Sequence, residues 1–138
     1  MFLKLRSLIF KIDPEIAHSL AIKSLKFNFT STIFDENKNN PMFQTTLFGK
    51  QIDNPIGMAA GFDKNAEVYN PLFKLGFGFV EVGTVTPLKQ YGNSKPRVFR
   101  LEEDQALINR LGFNSFGAED INSRIRSNTP TGLLGINI

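Results

Sequence analysis

Residues 57–65 of this 138-residue chain read GMAAGFDKN and place small residues before an acid, a lysine and an amide. Small side chains at the end of a strand let a flat ligand approach the backbone. If the strand belongs to a barrel, Lys64 would point toward a phosphate, a carboxylate or an electron-rich ring. The alternative is a tight strand-to-helix turn in which Asp63 or Asn65 caps the helix.

A second candidate site lies at residues 108–114, which read INRLGFN and fall in a long excursion over residues 85–116. Long loops on a rigid scaffold often bind ligands. An amide side chain offers one acceptor and two donors, so Asn109 and Asn114 could recognise a planar ring. Loop turns formed by Asn and Gly are the structural alternative.

Residues 76–86, GFGFVEVGTVT, resemble a nucleotide loop only superficially. The spacing is not G-x-G-x-x-G, and the lysine that a phosphate-binding loop requires is absent. Thr84 remains a candidate hydroxyl donor at the end of a strand. Glu81 is predicted to lie on the opposite face from Val80 and Val82 as a paired structural carboxylate, with no catalytic role.

Composition narrows the possible chemistry. The chain has no cysteine and one histidine, which argues against thiolate and histidine metal sites, so we predict no metal. The net charge of +3 resides in the first 26 residues, where five basic residues accompany two acidic ones. A basic, apolar terminus on a neutral body favours an anionic membrane surface as partner and argues against nucleic acid.

The N-terminal residues predict two helices. Residues 2–12 carry a broad apolar arc beside a basic stripe. A second helix is indicated by Asp13 as N-cap and Pro14 at the first helical position. His18 shares a stripe with apolar residues of this helix, which is typical of packing. The apolar run is too short to span a bilayer and lacks a cleavage site for a signal peptide.

A polar linker over residues 30–41 divides the sequence into residues 1–40 and residues 41–138. After it, residues 43–48 and 51–53 flank Gly49 and Lys50 like a β-hairpin.

The rest of the chain alternates between strands and helices. The predicted strands cover residues 56–60, 79–84 and 132–138. The predicted helices cover residues 70–76 and 117–127, with a short extended piece at residues 98–101. Such alternation predicts an α/β fold with parallel strands and right-handed crossovers, as a doubly wound sheet or a (β/α)₈ barrel. A barrel needs ~250 residues, so about three of its eight units are expected here.

Five motifs, AAGFDKN, EVGTVTP, KPRVFRL, INRLGFN and GLLGINI, closely resemble class 2 dihydroorotate dehydrogenases in order and spacing. The resemblance implies the N-terminal part of a (β/α)₈ TIM barrel, preceded by a small helical membrane-associating extension. It also implies oxidation of (S)-dihydroorotate to orotate with FMN as hydride acceptor. A membrane quinone would take the electrons, and the reaction would serve de novo pyrimidine biosynthesis.

The resemblance also assigns site residues by motif position. Those implied to line the flavin are Ala60, Gly61, Phe62, Asp63, Lys64, Thr84 and Asn137. Those implied to bind the substrate are Lys64, Asn109, Arg110, Leu111, Gly112 and Phe113. Those implied near the quinone tunnel are His18 and Arg100.

The family's catalytic base, a serine after a later strand, and its FMN phosphate site would lie beyond Ile138. These 138 residues alone are therefore expected to be inactive. The alternatives are a class 1 enzyme or another pyrimidine-handling flavin barrel, against which the basic helical extension argues, and a non-catalytic membrane-surface remnant. The absence of an Arg- and Ser-rich transit segment favours the cytoplasmic face of a bacterial membrane over the mitochondrial inner membrane.

Overall fold

The computed structural model describes residues 9–27 and 41–138. Most of the predicted first helix, and all but the last residue of the predicted linker, lie outside these ranges. Within them, no helix has the length and apolar character needed to cross a bilayer. The elements in chain order are α1 (Pro14–Lys26), a 3₁₀ turn (Pro41–Phe43), β1 (Thr45–Leu47), β2 (Lys50–Ile52), β3 (Gly57–Met58), α2 (Tyr69–Lys74), β4 (Phe79–Val82), β5 (Val98–Leu101), β6 (Ala106–Asn109), α3 (Ala118–Ser127) and β7 (Leu133–Ile136).

Helix α1 begins where the sequence predicts. Oδ1 of Asp13 accepts hydrogen bonds from the backbone N–H groups of Glu15 at 2.9 Å and Ile16 at 3.0 Å. Pro14 occupies the first turn, where a missing N–H costs nothing. This cap fixes the direction in which α1 leaves the preceding residues.

Three parallel strands form the central sheet in the order β3-β4-β7. Gly57 pairs with Phe79, which in turn pairs with Leu133. The predicted parallel α/β alternation is confirmed, although each strand is shorter than predicted. Helix α2 lies in the chain between the first two strands, and α3 precedes the third. Because the three strands are parallel, their carboxyl ends meet at one edge of the sheet.

The predicted turn of the first hairpin was wrong by one residue. Leu47 pairs with Lys50, so the turn residues are Phe48 and Gly49, with φ values of 50° and 75°. Two consecutive positive φ values define the turn type that matches the right-handed twist of a two-residue hairpin. Lys50 therefore belongs to β2.

Strand β6 is an element that the sequence did not predict. It pairs antiparallel with β5, from Val98 opposite Asn109 to Leu101 opposite Ala106. All four residues of β6 are exposed, so the strand has no alternation of buried and exposed side chains to detect. The long excursion thus contains a β-hairpin.

The core lies on one face of β4, where Val80 and Val82 are fully buried. Residues of all three helices pack with them in one cluster, namely Ile22, Leu25, Tyr69, Leu72 and Ile121. Helix α1 thus packs into the same core as the sheet. The division of the chain at residue 40 stays a prediction.

The other face of β4 carries Phe79 and Glu81, both partly buried. The Phe79 ring lies over Gly57, so a Cβ at that glycine would overlap the ring. Glu81 pairs in register with Gly135. Its position opposite the buried valines is as predicted, but within the described ranges it has no hydrogen-bond or ion-pair partner.

Candidate active site

The turn after β3 is organised by a buried carboxylate. Asp63 is 1% exposed, and its two oxygens accept the backbone N–H groups of Glu67 and Val68, both at 2.7 Å. Burial raises the pKa of Asp63, while these hydrogen bonds act to lower it. Asn65 does not cap a helix, because its Oδ1 accepts from the backbone N–H of Phe116. Asp63 therefore lies in the predicted site and also shapes the turn.

Lys64 follows directly and points its ammonium back over the turn. Its Nζ donates to the carbonyl of Gly61 at 2.6 Å. Burial lowers the pKa of Lys64, and Arg97 lowers it further, whereas Glu15 and Asp63 raise it. The result is a partly desolvated cation suited to an anionic ligand.

A cavity of about 680 Å³ lies between α1, this turn and the β5–β6 hairpin. Its wall includes residues from all three predicted groups, namely Gly61, Phe62, Asp63, Lys64, Asn109, Leu111, His18 and Arg100. The remaining predicted residues are not on this wall, namely Ala60, Thr84, Asn137, Arg110, Gly112 and Phe113. Residues predicted to bind the flavin, the substrate and the quinone thus line one shared cavity in part.

His18 reaches this cavity from α1. Its Nε2 lies 2.7 Å from the carbonyl oxygen of Phe62, and the two rings meet edge-on at 5.4 Å and 85°. Its stripe on α1 also holds Ile22 and Leu25, both buried as that packing pattern predicts. The hydrogen bond gives His18 a specific contact in addition to packing.

Arg100 reaches the cavity from β5 and holds the residues that precede α1. Its Nη1 donates to the carbonyls of Ile12 at 2.6 Å and Phe10 at 3.2 Å. The guanidinium also lies 4.9 Å from the centre of the Phe10 ring. Arg100 therefore joins the β5–β6 hairpin to the residues that precede α1.

Thr84 and Asn137 lie just beyond the carboxyl ends of β4 and β7, and the Thr84 hydroxyl donates to Oδ1 of Asn137. The backbone N–H of Gly61 donates to the carbonyl of Gly83 at 2.9 Å. These contacts join the ends of all three parallel strands. Polar side chains and small residues therefore line one edge of the sheet.

The loop after β6 has an unusual backbone. Gly112 and Phe113 both have positive φ, at 69° and 53°. Gln90 donates from Nε2 to the carbonyl of Phe113 at 2.8 Å, and Asn93 donates from Nδ2 to the carbonyl of Arg110 at 2.8 Å. Such conformations persist where surrounding contacts impose them, often at ligand sites.

The side chains of this loop diverge. Asn109 lines the cavity, whereas the guanidinium of Arg110 donates to the carbonyl of Pro96 at 3.0 Å. Asn114 also lines the cavity, and its buried Oδ1 has no hydrogen-bond partner in the described part of the chain. Asn109 and Asn114, the two amides predicted to recognise a planar ring, therefore line the same cavity.

Sequence reasoning missed the pair formed by Glu15 and Arg97. Arg97 is 7% exposed and donates from Nε and Nη2 to Oε1 of Glu15, at 3.1 and 2.8 Å. Hydrogen bonding from Arg97 lowers the pKa of Glu15. Arg97 lies in the KPRVFRL motif, but its partner is 82 positions away. Nothing local in the sequence links them.

A family model described as dihydroorotate dehydrogenase matches residues 42–138. The chain belongs to the dihydroorotate dehydrogenase family. The resemblance inferred from the five motifs is thus confirmed.

Curated members of this family are similar over nearly the whole chain. The dihydroorotate dehydrogenase (quinone) of Rhodospirillum rubrum is 51% identical over 131 residues, which are 95% of this chain and 35% of that protein. The protein of the same name from Coxiella burnetii is 44% identical over 135 residues, 97% of this chain and 39% of that protein. The chain therefore spans little more than a third of these relatives' length.

Two solved dihydroorotate dehydrogenase structures from Eimeria tenella have a similar fold. The ligand-free structure has a TM-score of 0.83 at 41% identity, covering 91% of this chain and 37% of that one. The complex with ferulenol has a TM-score of 0.81 at 40% identity, covering 90% and 35%. The predicted α/β class is confirmed.

Proposed function

We propose that the complete protein oxidises (S)-dihydroorotate to orotate with FMN as hydride acceptor, and that a membrane quinone takes the electrons. This reaction serves de novo pyrimidine biosynthesis. The observation that carries the proposal is the shared cavity, whose wall includes Lys64 and Asn109 together with His18 and Arg100. The names of the relatives support it. The catalytic base is proposed to lie beyond Ile138.

The strand ends fit a flavin. A Cβ built on Gly61, whose φ is 103°, would meet no atom of the described chain within 4 Å, so the space above this turn is open. The residues that would hold FMN are Ala60, Gly61, Phe62, Asp63, Lys64, Thr84 and Asn137. When bound, FMN supplies the redox chemistry.

The protein's own residues would supply charge and alignment. The Lys64 ammonium would offset negative charge on the reduced ring and on the substrate carboxylate. Asn109 would hydrogen-bond the pyrimidine ring. Helix α1 covers the cavity on the side of His18 and would limit access of water to the reacting groups.

The order of the strands agrees with a (β/α)₈ barrel, in which consecutive parallel strands are neighbours. In the described part of the chain the parallel strands follow the order β3-β4-β7. The first three strands of a doubly wound sheet are neighbours as well, so the proposal of a barrel rests on membership of the family. We propose that further strands of the complete protein close this sheet.

Membrane association is proposed through α1 and the basic residues before it, on the cytoplasmic face of a bacterial membrane. Opposite its buried face, α1 carries an exposed apolar stripe made of Ile16 and Leu20, followed by Phe27 after the helix end. Cosedimentation of the full-length protein with phosphatidylglycerol vesicles should decrease on replacing Ile16 and Leu20 by Ser. Phe48→Ser, at another exposed apolar residue, should leave binding unchanged.

The central test is to sequence the coding region past Ile138, express it to its stop codon and purify the product. We expect the absorbance of bound FMN and dihydroorotate-dependent reduction of a quinone. Reduction of fumarate or nicotinamide in place of quinone would contradict the proposed acceptor. Vesicle binding without flavin or turnover would instead indicate a non-catalytic membrane-surface protein.

A further inference from the structure

Glu15 and Lys64 face the same cavity from different elements. Glu15 lies one helical turn before His18, and residues three apart share a face of a helix. His18 contacts the carbonyl of Phe62, two residues before Lys64. Both Glu15 and Lys64 line the cavity wall. A partly desolvated ammonium and a nearby carboxylate would be expected to pair.

The structure shows a different pairing. The Glu15 carboxylate accepts two hydrogen bonds from Arg97, at 2.8 and 3.1 Å, and Lys95 approaches it at 3.6 Å. The Nζ of Lys64 donates to the neutral carbonyl of Gly61. No carboxylate of the described residues forms an ion pair with Lys64.

Arg97 is held in place independently of Glu15. Its Nη1 donates to the carbonyls of Tyr91 at 2.7 Å and Asn93 at 3.0 Å. Its own carbonyl accepts the backbone N–H of Arg110 at 2.8 Å. These hydrogen bonds hold the Arg97 guanidinium in place, and the Glu15 carboxylate binds to it.

We propose that Arg97 is a positioning residue that holds the Glu15 carboxylate away from Lys64 and so keeps the Lys64 ammonium available to an anionic ligand. In the proposed function, which this inference deepens and on which it rests, that ligand is the carboxylate of dihydroorotate. Arg97 does not touch the ligand in this scheme.

Among the acids on the cavity wall, Glu15 is the one whose pairing determines whether Lys64 meets a carboxylate of the protein. Asp63 commits both oxygens to backbone N–H groups, and Glu67 forms ion pairs with Lys26 and Arg124. The remaining ionisable residues on the cavity wall are His18, Lys23 and Arg100. Glu15 reaches the cavity from α1, and Arg97 is the residue that donates hydrogen bonds to its carboxylate.

The first test measures the pKa of Lys64 itself in the full-length protein. Lysines are dimethylated with ¹³C, the Lys64 signal is assigned with a Lys64→Arg variant, and its shift is followed with pH. Arg97→Gln should raise this pKa by about one pH unit, a tenfold change in proton affinity, because the Glu15 carboxylate, whose charge already acts on Lys64, loses its guanidinium partner. Glu15→Gln should lower it, and Arg126→Gln, at an exposed arginine of α3, should not change it.

Opposite shifts from the two halves of one ion pair separate this role from a merely structural one. If both variants move the pKa of Lys64 in the same direction, or Arg97→Gln leaves it unchanged, the proposal is wrong. Should Arg97→Gln fail to fold, Glu15→Gln still decides, since a pKa that does not fall would contradict the proposal.

The second test uses the dissociation constant of orotate, followed by flavin absorbance in the FMN-loaded full-length enzyme. Arg97→Gln should weaken binding about tenfold, and Glu15→Gln combined with Arg97→Gln should restore it to within about twofold of the wild type. A double variant as weak as Arg97→Gln would overturn the proposal. If the wild type binds neither FMN nor orotate, the proposed function fails, while the pKa measurement still tests the role of Arg97.

Discussion

His18 donates a hydrogen bond from Nε2 to the carbonyl oxygen of Phe62 across 2.7 Å, and this contact joins α1 to the turn that follows β3. A carbonyl can only accept, so Nε2 carries the proton and Nδ1 of a neutral ring remains an acceptor. The position of the N-terminal helix is thus linked directly to the backbone of the proposed flavin turn.

Replacing His18 by Ala should raise the KM for quinone about fivefold, because one hydrogen bond contributes about 1 kcal/mol and also orients α1. Anaerobic reduction of the flavin by dihydroorotate should stay within about twofold of the wild-type rate. Steady-state and stopped-flow kinetics on the full-length enzyme separate the two effects. Ser24→Ala, at an exposed residue of the same helix, is the control. Equal losses in both steps would contradict a role for His18 on the quinone side.

Lys64→Ala should slow flavin reduction by about 10²- to 10³-fold, since a preorganised charge in a site that excludes water is typically worth a few kcal/mol. Stopped-flow bleaching of the flavin measures this rate directly. Lys74→Ala, at an exposed lysine of α2, should leave the rate unchanged. An unaltered rate for Lys64→Ala would refute the assigned role.

Gly112→Ala should raise the KM for dihydroorotate at least tenfold. The left-handed conformation costs an alanine about 1–2 kcal/mol, and its Cβ would also lie 2.9 Å from the backbone N of Asn93. Gly49→Ala is a matched control, because Gly49 has a similar φ of 75° but open space around it. It should lower stability in thermal denaturation without changing the KM. Similar kinetics for the two variants would show that the loop contact is unimportant.

Glu15 should give the protein a defined acid sensitivity. Arg97 holds the pKa of Glu15 below its ordinary value of 4.5, so the pair stabilises the folded state above that pH. The stabilisation is lost as pH falls through the lowered pKa. The difference in Tm between the wild type and Glu15→Gln should therefore be greatest near neutral pH and vanish in acid. A difference that grows below pH 4.5 would contradict this sign.

Features set by local sequence were predictable. Asp13 and Pro14 act within their own helical turn, so the start of α1 follows from them. Strand β4 likewise falls within the strand predicted at residues 79–84. The small residues and Lys64 of the first motif pointed to the turn that lines the cavity.

Features set by tertiary contacts could not be predicted from the sequence. β6 is fully exposed and is specified by its pairing with β5. The partners Glu15 and Arg97 come from distant parts of the chain, and no local pattern of residues connects them. The sequence suggested Asp63 as a possible helix cap, but it did not indicate that both carboxylate oxygens accept backbone N–H groups within the turn.

Because the ring of Phe79 lies over Gly57, a substitution at one of these positions restricts which residues the other can accept. A methyl group at position 57 is compatible with the same strand spacing only if a smaller side chain occupies position 79. Across the family, the two sites should therefore change as a pair, with one residue gaining volume as the other loses it.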